Sequence, residues 1–364
     1  MTVIIVYKSM LTSLTLESFK NHGNRSFSWG EKNILTGPNG SGKTNILEAI
    51  YLFINAIPPQ ERVFLQLVPT DSGVLSLSGE FTKNTLPYSG RIGHTKGEGK
   101  VHFLSQETII TRARHIELMP FRAVLFTPME MNILYLGPSL RRDFLDEAIL
   151  LAYPEFTKIR REYGLALKNR NSLLKQIREG TSTRDTLNLW DSLFIERAKY
   201  YYLYRKKCID FIQEHIHSVE ELLEEKYTLS FQYITKIDFE NVESGMLQYL
   251  RENRERDIIT GHTYIGPHLD DFQCILSHDI QSNSYLSRGE NKTILIGLKF
   301  ILIEFIERSS KKETILLLDD LFSELDAEHI TSLLIRAGNR QLFITTQNIP
   351  SFLIDTGEFS FYEI

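Results

Sequence analysis

The stretch GPNGSGKT, residues 37–44, constrains this chain more than any other. It satisfies G-x-x-x-x-G-K-[ST] at every position. It lies between a short apolar run at 33–36 and the segment 44–54, where Ile46, Leu47, Ile50, Phe53 and Ile54 recur at helical spacing. A strand that turns through glycines into a helix brings free backbone N–H groups and the positive end of the helix dipole together, which suits an anion. In this reading Gly37, Pro38, Asn39, Gly40, Ser41 and Gly42 wrap phosphate oxygens. Lys43 reaches the β- and γ-phosphates, and the Thr44 hydroxyl takes a Mg²⁺ position. The cofactors expected are ATP and Mg²⁺.

A second feature answers the first. TILLLDDLFSELD, residues 314–326, is an apolar strand that ends in two carboxylates. Nucleotide sites lie at the carboxyl ends of parallel strands, and Mg²⁺ needs a hard oxygen donor there. Asp319 is the metal-side candidate. Asp320 follows it, points the other way, and is the candidate general base or water holder.

The rest of the pattern is α/β. Residues 11–18 alternate as a half-buried strand does, and 58–120 read as β-rich. From 139 to about 226 the pattern is helical and charged, broken near 179–184. Strand signals return at 227–234, a helix is expected at 241–256, and 263–276 holds a turn and then a strand. The remainder alternates helix 288–307, strand 314–318, helix 327–337 and strand 341–345. The domains expected are 1–125 for the first part of a nucleotide-binding lobe, 126–226 for an inserted helical lobe, and 227–364 for the return, with helix 286–307 packing on the helical lobe.

Composition narrows the class. The chain has 364 residues with a net charge of -5, so any nucleic-acid contact must come from a local patch. No run approaches the roughly 18–20 apolar residues of a membrane span. Cys208 and Cys274 offer neither metal spacing nor a disulfide framework. MTVIIVYKSM is too short and too poor in charge for a signal peptide, and the expected location is cytoplasmic.

SYLSRGENK, residues 284–292, opens another helix. Ser287 at the N-cap and Glu290 three residues on form a capping box. A capping box does not require Gly289, and a glycine inside a helix costs roughly 0.5–1 kcal/mol against alanine. Close approach of a ligand would explain it.

These residues carry a resemblance. L-S-R-G-E (286–290) resembles the L-S-G-G-Q signature of ABC-type ATPases, and S-E-L-D (323–326) resembles their D-loop, in the same chain order. LTSLTLESFKNH (11–22) resembles the start of the RecF family, recombination-repair ATPases related to SMC proteins. Residues 1–9 lie ahead of that stretch, and its resemblance to the family's start implies that they are a dispensable extension. TPMEMNILYLGPSLRRDFLDEAI (127–149) resembles another RecF segment, and TYIGPHLDDF (263–272) resembles the family's T-x-x-G-P-H-R-D-D, its most specific mark. Leu269 stands in place of that element's Arg, Glu290 in place of the signature Gln, and Lys20 in place of the Arg of F-R-N. Glu130 is the heir of the Q-loop acid, and TTQN (345–348) offers no switch histidine. The resemblance implies an ABC-type P-loop ATPase lobe with a β-rich portion and an inserted, mainly helical lobe. It implies a head-to-tail homodimer in which Ser287, Gly289 and Glu290 cap the partner's ATP, with Lys43, Asp320 and Glu130 in catalytic roles. It also implies a slow ATPase and DNA clamp at single-strand gaps or double–single-strand junctions, working with RecO and RecR to load the recombinase, with no membrane partner. The alternatives are a transporter's nucleotide-binding subunit and a slow SMC-like structural or defence ATPase.

Two basic clusters suggest where DNA would lie. Lys158, Arg160, Arg161, Lys168, Arg170, Lys175 and Arg178 face one acid, Glu162. Among them Arg161, Lys168 and Lys175 are seven apart and share a helix face. Arg197, Lys199, Arg205, Lys206 and Lys207 form the second cluster, beside Tyr200, Tyr201, Tyr202 and Tyr204, whose rings are expected in the core.

Overall fold

The computed structural model describes residues 9–59, 67, 73–83, 86–95, 101–277, 280–354 and 357–364; residues 1–8, most of the expected extension, lie outside them. The chain divides into two compact units, one comprising the segment through Met129 together with Lys311–Ile364, the other Glu130–Ser310.

The first unit opens with the strands β1 (Met10–Phe19), β2 (His22–Ser28) and β3 (Lys32–Thr36), then helix α1 (Lys43–Asn55). Strands β4 (Val74–Lys83), β5 (Leu86–Thr95), β6 (Val101–Ser105) and β7 (Thr108–Ile110) follow, then α2 (Arg112–Leu118) and β8 (Phe121–Phe126). The second unit holds α3 (Pro138–Ala152), α4 (Phe156–Arg178), α5 (Asp185–His215), α6 (His217–Leu222) and β9 (Leu229–Ile234). It continues through α7 (Val242–Glu252), α8 (Arg254–Thr260), β10 (Asp271–Leu276), β11 (Ile280–Gln281), α9 (Ser282–Tyr285) and α10 (Arg288–Ser310). The chain then returns to the first unit with β12 (Glu313–Asp319), α11 (Ala327–Ala337), β13 (Leu342–Thr346), α12 (Ser351–Ile354) and β14 (Ser360–Glu363).

Two sheets build the first unit. One is antiparallel, in the order β2-β1-β4-β5-β6-β7. The other has the order β14-β3-β13-β12-β8 and pairs parallel throughout. Alternation in β1 turns Leu14 and Leu16 into the core, while β12 and β13 are near-continuously apolar, as strands covered on both faces must be. Helix α1 shares one core with both sheets: Ile46, Leu47, Ile50 and Phe53 pack with Leu14, Leu77, Leu317 and Phe343. That packing fixes the helix whose first residues end the glycine loop.

In the second unit α4 and α5 form a long antiparallel pair joined by the expected break at 179–184. The three-stranded sheet β11-β10-β9 and helix α10 cluster with these helices. Residues 227–310, expected with the nucleotide lobe, therefore sit in the helical unit. The reason is polar as well as apolar: Arg141 and Arg142 of α3 bind Asp271 and the Asp270 carbonyl at the start of β10. Among the described residues, no helix is long and apolar enough to cross a membrane.

Candidate functional site

The glycine loop joins β3 to α1 through three residues that need glycine. Gly37, Gly40 and Gly42 have φ of 153°, 84° and 104°. A Cβ on Gly42 would also stand 2.4 Å from His22 Nε2. Lys43 is buried, and its Nζ donates to the carbonyls of Gly37 at 2.7 Å and Pro38 at 2.9 Å, so its positive charge lies on the loop itself. Ser41 Oγ is buried and has no hydrogen-bond partner among the described residues. A hydroxyl left unmatched beside a buried ammonium and a helix N-terminus fits an anionic oxygen.

The parallel sheet brings the acidic strand end to this loop. Thr44 Oγ1 donates to Asp319 Oδ1 at 2.8 Å, and Thr345 Oγ1 donates to the same oxygen at 2.8 Å. Two hydroxyls and a carboxylate form a hard oxygen set, the donor type Mg²⁺ takes. Asp320 leaves the strand in the left-handed region, with φ 46°. Its N–H donates to Thr345 Oγ1 at 2.9 Å, while its side chain has, among the described residues, only a long hydrogen bond, 3.5 Å, from Ser323 Oγ. Partial burial and then the neighbouring Asp319 charge raise the Asp320 pKa, which makes its carboxylate a stronger base.

Two neighbours of this site were not legible in the sequence. Gln347, just past β13, donates its side-chain amide to Asn39 Oδ1 of the loop. It stands where the sequence offers no histidine, and its place at the carboxyl end of a strand next to β3 was the available signal. The β1–β2 turn also props the loop: His22 Nε2–H donates to the Gly42 carbonyl at 3.0 Å, and Asn21 donates to the Gly40 carbonyl at 3.4 Å. Lys20 pairs with the buried Glu48 of α1 and donates to Asn45 at 3.2 Å, so its charge is held on the helix.

The remaining site candidates lie in the other unit. Ser287 and Glu290 form the expected capping box at α10: Ser287 N–H and Oγ–H donate to Glu290 Oε2 at 2.9 and 2.7 Å, and Glu290 N–H donates to Ser287 Oγ at 3.2 Å. Tyr227 OH donates to the other Glu290 oxygen at 3.2 Å, and these donors, the Ser287 hydroxyl foremost, lower the Glu290 pKa. Gly289 lies between them in the first turn of α10. Glu130 is not a free acid; its carboxylate accepts from Lys299 Nζ at 2.6 Å, and the pair is largely buried.

The GPHLDD segment proves to be architectural. Gly266 has φ 124°, and a Cβ there would stand 2.5 Å from Tyr163 OH. His268 Nε2–H donates to the Thr263 carbonyl at 3.3 Å, leaving Nδ1 to accept from Tyr163 OH at 2.5 Å. Burial pushes the His268 pKa down to about 4. Asp271 makes a two-pronged pair with Arg141 at 2.6 and 2.8 Å. Asp270 accepts from Tyr233 OH at 2.9 Å, and burial pushes its pKa up to about 6. Arg205 links Tyr233 to Asp146. The segments 141–147 and 263–272 are thus two halves of one polar core.

The basic clusters divide by burial. Arg161, Lys168 and Lys175 are exposed on α4 and make no ion pair among the described residues. Arg170 is fully buried, paired with Asp191 at 2.8 Å and Asp257 at 2.9 Å. In the second cluster Arg205 is fully buried on Asp146, Lys199 pairs with Glu243, Lys206 pairs with Asp210, and Lys207 lies over the rings of Tyr153 and Tyr204. Arg205 is the buried member of that cluster; Lys199 and Lys207 are exposed, and these cations are engaged by an acid or a ring. Tyr201 and Tyr202 are buried as expected, whereas Tyr200 is exposed.

Residues 32–112, which hold the glycine loop, match a family described as "AAA domain, putative AbiEii toxin, Type IV TA system". The "DNA replication and repair protein RecF" of Streptococcus uberis is 30% identical over 362 residues, covering 94% of this chain and 94% of that protein. The protein of the same name from Streptococcus gordonii is 30% identical over 351 residues, covering 93% of this chain and 94% of its own. A solved structure described as the recombination mediator protein RecF-ATPrS in the RecFOR pathway superposes with a TM-score of 0.84 at 24% identity, over 98% of this chain and 96% of that one. The α/β architecture is therefore that of RecF, and the chain belongs to the RecF family.

Proposed function

We propose that this protein is an ATP-dependent DNA-binding ATPase of replication and recombinational repair. The observation that carries the reading is the cluster of Thr44, Asp319 and Thr345 beside a glycine loop that holds Lys43 and an unmatched Ser41 hydroxyl. The names of the RecF relatives support the repair role. In this reading the loop and Lys43 bind the phosphates of ATP, and Thr44 and Asp319 hold Mg²⁺. The metal, when bound, neutralises phosphate charge. Asp320 orients the attacking water and takes its proton. The Asp320 carboxylate is one carbon shorter than the Glu that ABC ATPases usually carry there, so turnover is slow, as suits a protein whose ATP-bound state must persist on DNA.

Ser287 and Gly289 act in a second protomer, capping the γ-phosphate held by the first, so ATP drives dimerisation. The exposed cations of α4 provide sequence-independent DNA contact. Single-strand gaps and junctions are the preferred DNA, and RecO and RecR the partners that couple the clamp to recombinase loading in the cytoplasm. The test is binding to gapped DNA with and without ATP, with turnover scored on the same preparation. Lys43→Ala should abolish nucleotide binding. Ser287→Arg should keep it but stay monomeric by light scattering with ATP; a Ser287→Arg protein that dimerises normally would end the shared-site reading.

A further inference from the structure

Gly164 is the ninth residue of the 23-residue helix α4, far from either end. Such a position is expensive for glycine, because the free backbone loses more freedom in a helix than alanine does. The fold gives no reason for it. Gly164 is exposed, its φ is not in the left-handed region, and a Cβ there would meet nothing within 4 Å among the described residues. An internal packing requirement, of the kind Gly266 and Gly297 show against Tyr163 and Val219, is absent here. What surrounds Gly164 is charge: Arg161 lies three residues before it and Lys168 four after, on the same face, both exposed and without an ion pair among the described residues.

We propose that Gly164 is a contact notch for a DNA sugar–phosphate backbone, which lies against bare helix backbone while Arg161 and Lys168 hold phosphates on either side. The inference rests on the assignment of α4 to DNA and goes further, since it replaces diffuse attraction by close contact at one residue. A side chain at this position would hold the phosphates away from both cations, and electrostatic attraction falls with separation.

The consequence is a substitution that strengthens the protein and weakens its function. Gly164→Ala should raise the melting temperature by about 2 °C and weaken binding to a labelled gapped duplex. Gly164→Leu should weaken it by at least about tenfold at 0.1 M salt and reduce the salt slope by about two, the effect of losing the phosphate contacts of both Arg161 and Lys168. MgATP affinity should not change in either. The triple variant with Arg161, Lys168 and Lys175 changed to Glu separates the two levels of the argument. If it loses DNA binding but Gly164→Ala and Gly164→Leu do not, the notch is wrong and α4 remains the DNA face. If the triple variant binds DNA with an unaltered salt slope, the assignment of α4 fails and the notch fails with it. Gly164→Ala carries the test should the leucine variant misfold.

Discussion

The chain contains two adjacent aspartate pairs, Asp270–Asp271 and Asp319–Asp320, and they have opposite fates. Asp271 is answered by both prongs of Arg141, and Asp270 by Tyr233, with Arg142 on its carbonyl. Asp319 is answered by two threonine hydroxyls, and the Asp320 side chain by almost nothing. The first pair sits in the GPHLDD segment, which carries the resemblance to the RecF element; the second sits in an ordinary-looking apolar strand. A sequence signature can be specific because a buried network admits few solutions, and that is a structural constraint. A site that must accept a ligand keeps its donors and acceptors incomplete.

Breaking the first pair should cost stability and little else. Asp271→Ala leaves the largely buried Arg141 without its carboxylate, a loss of about 3–5 kcal/mol, visible as a lower urea midpoint. The folded fraction should still bind nucleotide with parental affinity; selective loss of ATP binding at full stability would move Asp271 into the site.

A pH series sharpens the same point at His268. Its native pKa, about 4, lies below the ordinary histidine value of 6.5, so native His268 stays neutral while the unfolded chain gains a proton as pH falls. It therefore removes stability between pH 6.5 and 4. Asp270 works the other way: its native pKa of about 6 exceeds the ordinary value of 3.8, so the native state gains stability as pH falls through 6. Replacing His268 with Gln removes only the first effect. The variant should gain on the parent by up to about 3 kcal/mol between pH 6.5 and 4. Parallel pH–stability curves would show that His268 does not titrate as its burial requires.

On the other side of the comparison, Asp319→Asn should weaken Mg²⁺-dependent ATP binding by about 10–100-fold. Its effect on urea stability should be much smaller than that of Asp271→Ala. Titration calorimetry with and without Mg²⁺ reads it, and equal affinities under both conditions would remove Asp319 from the metal. The smallest effect is expected at Glu290. Its charge is held at the α10 N-terminus by Ser287 and Tyr227, so Glu290→Gln should cost about 0.5–1 kcal/mol of stability. Loss of ATP-dependent dimerisation in that variant would give the carboxylate a role beyond capping.

Much of this was legible because local pattern and tertiary demand agree. The glycine loop, the apolar acidic strand, α1 and the capping box each follow from spacing alone. The misses have physical causes. Strand β2, HGNRSFS, is mostly exposed, and β14, SFYE, is short and only partly covered, so neither carries an apolar period; pairing with β1 and β3 makes them strands. Arg170 and Arg205 were grouped with surface cations because residue type outweighed position. Arg170 shares a face with Tyr163, Ala166, Leu173 and Leu174, all buried, and that periodicity was the available sign. Its partners Asp191 and Asp257 are 21 and 87 residues away, which no local pattern reveals.

The central claim is that the incompletely partnered Asp320 works beside a nucleotide held by Thr44 and Asp319. Single-turnover hydrolysis by Asp320→Asn, with ATP affinity, dimerisation and DNA dissociation measured on the same preparation, tests it most directly. The account predicts parental ATP affinity, an intact ATP-dependent dimer, no hydrolysis, and protein that stays on DNA. Hydrolysis at the parental rate would place the base elsewhere, and failure to bind ATP would mean that the roles of the two aspartates are exchanged.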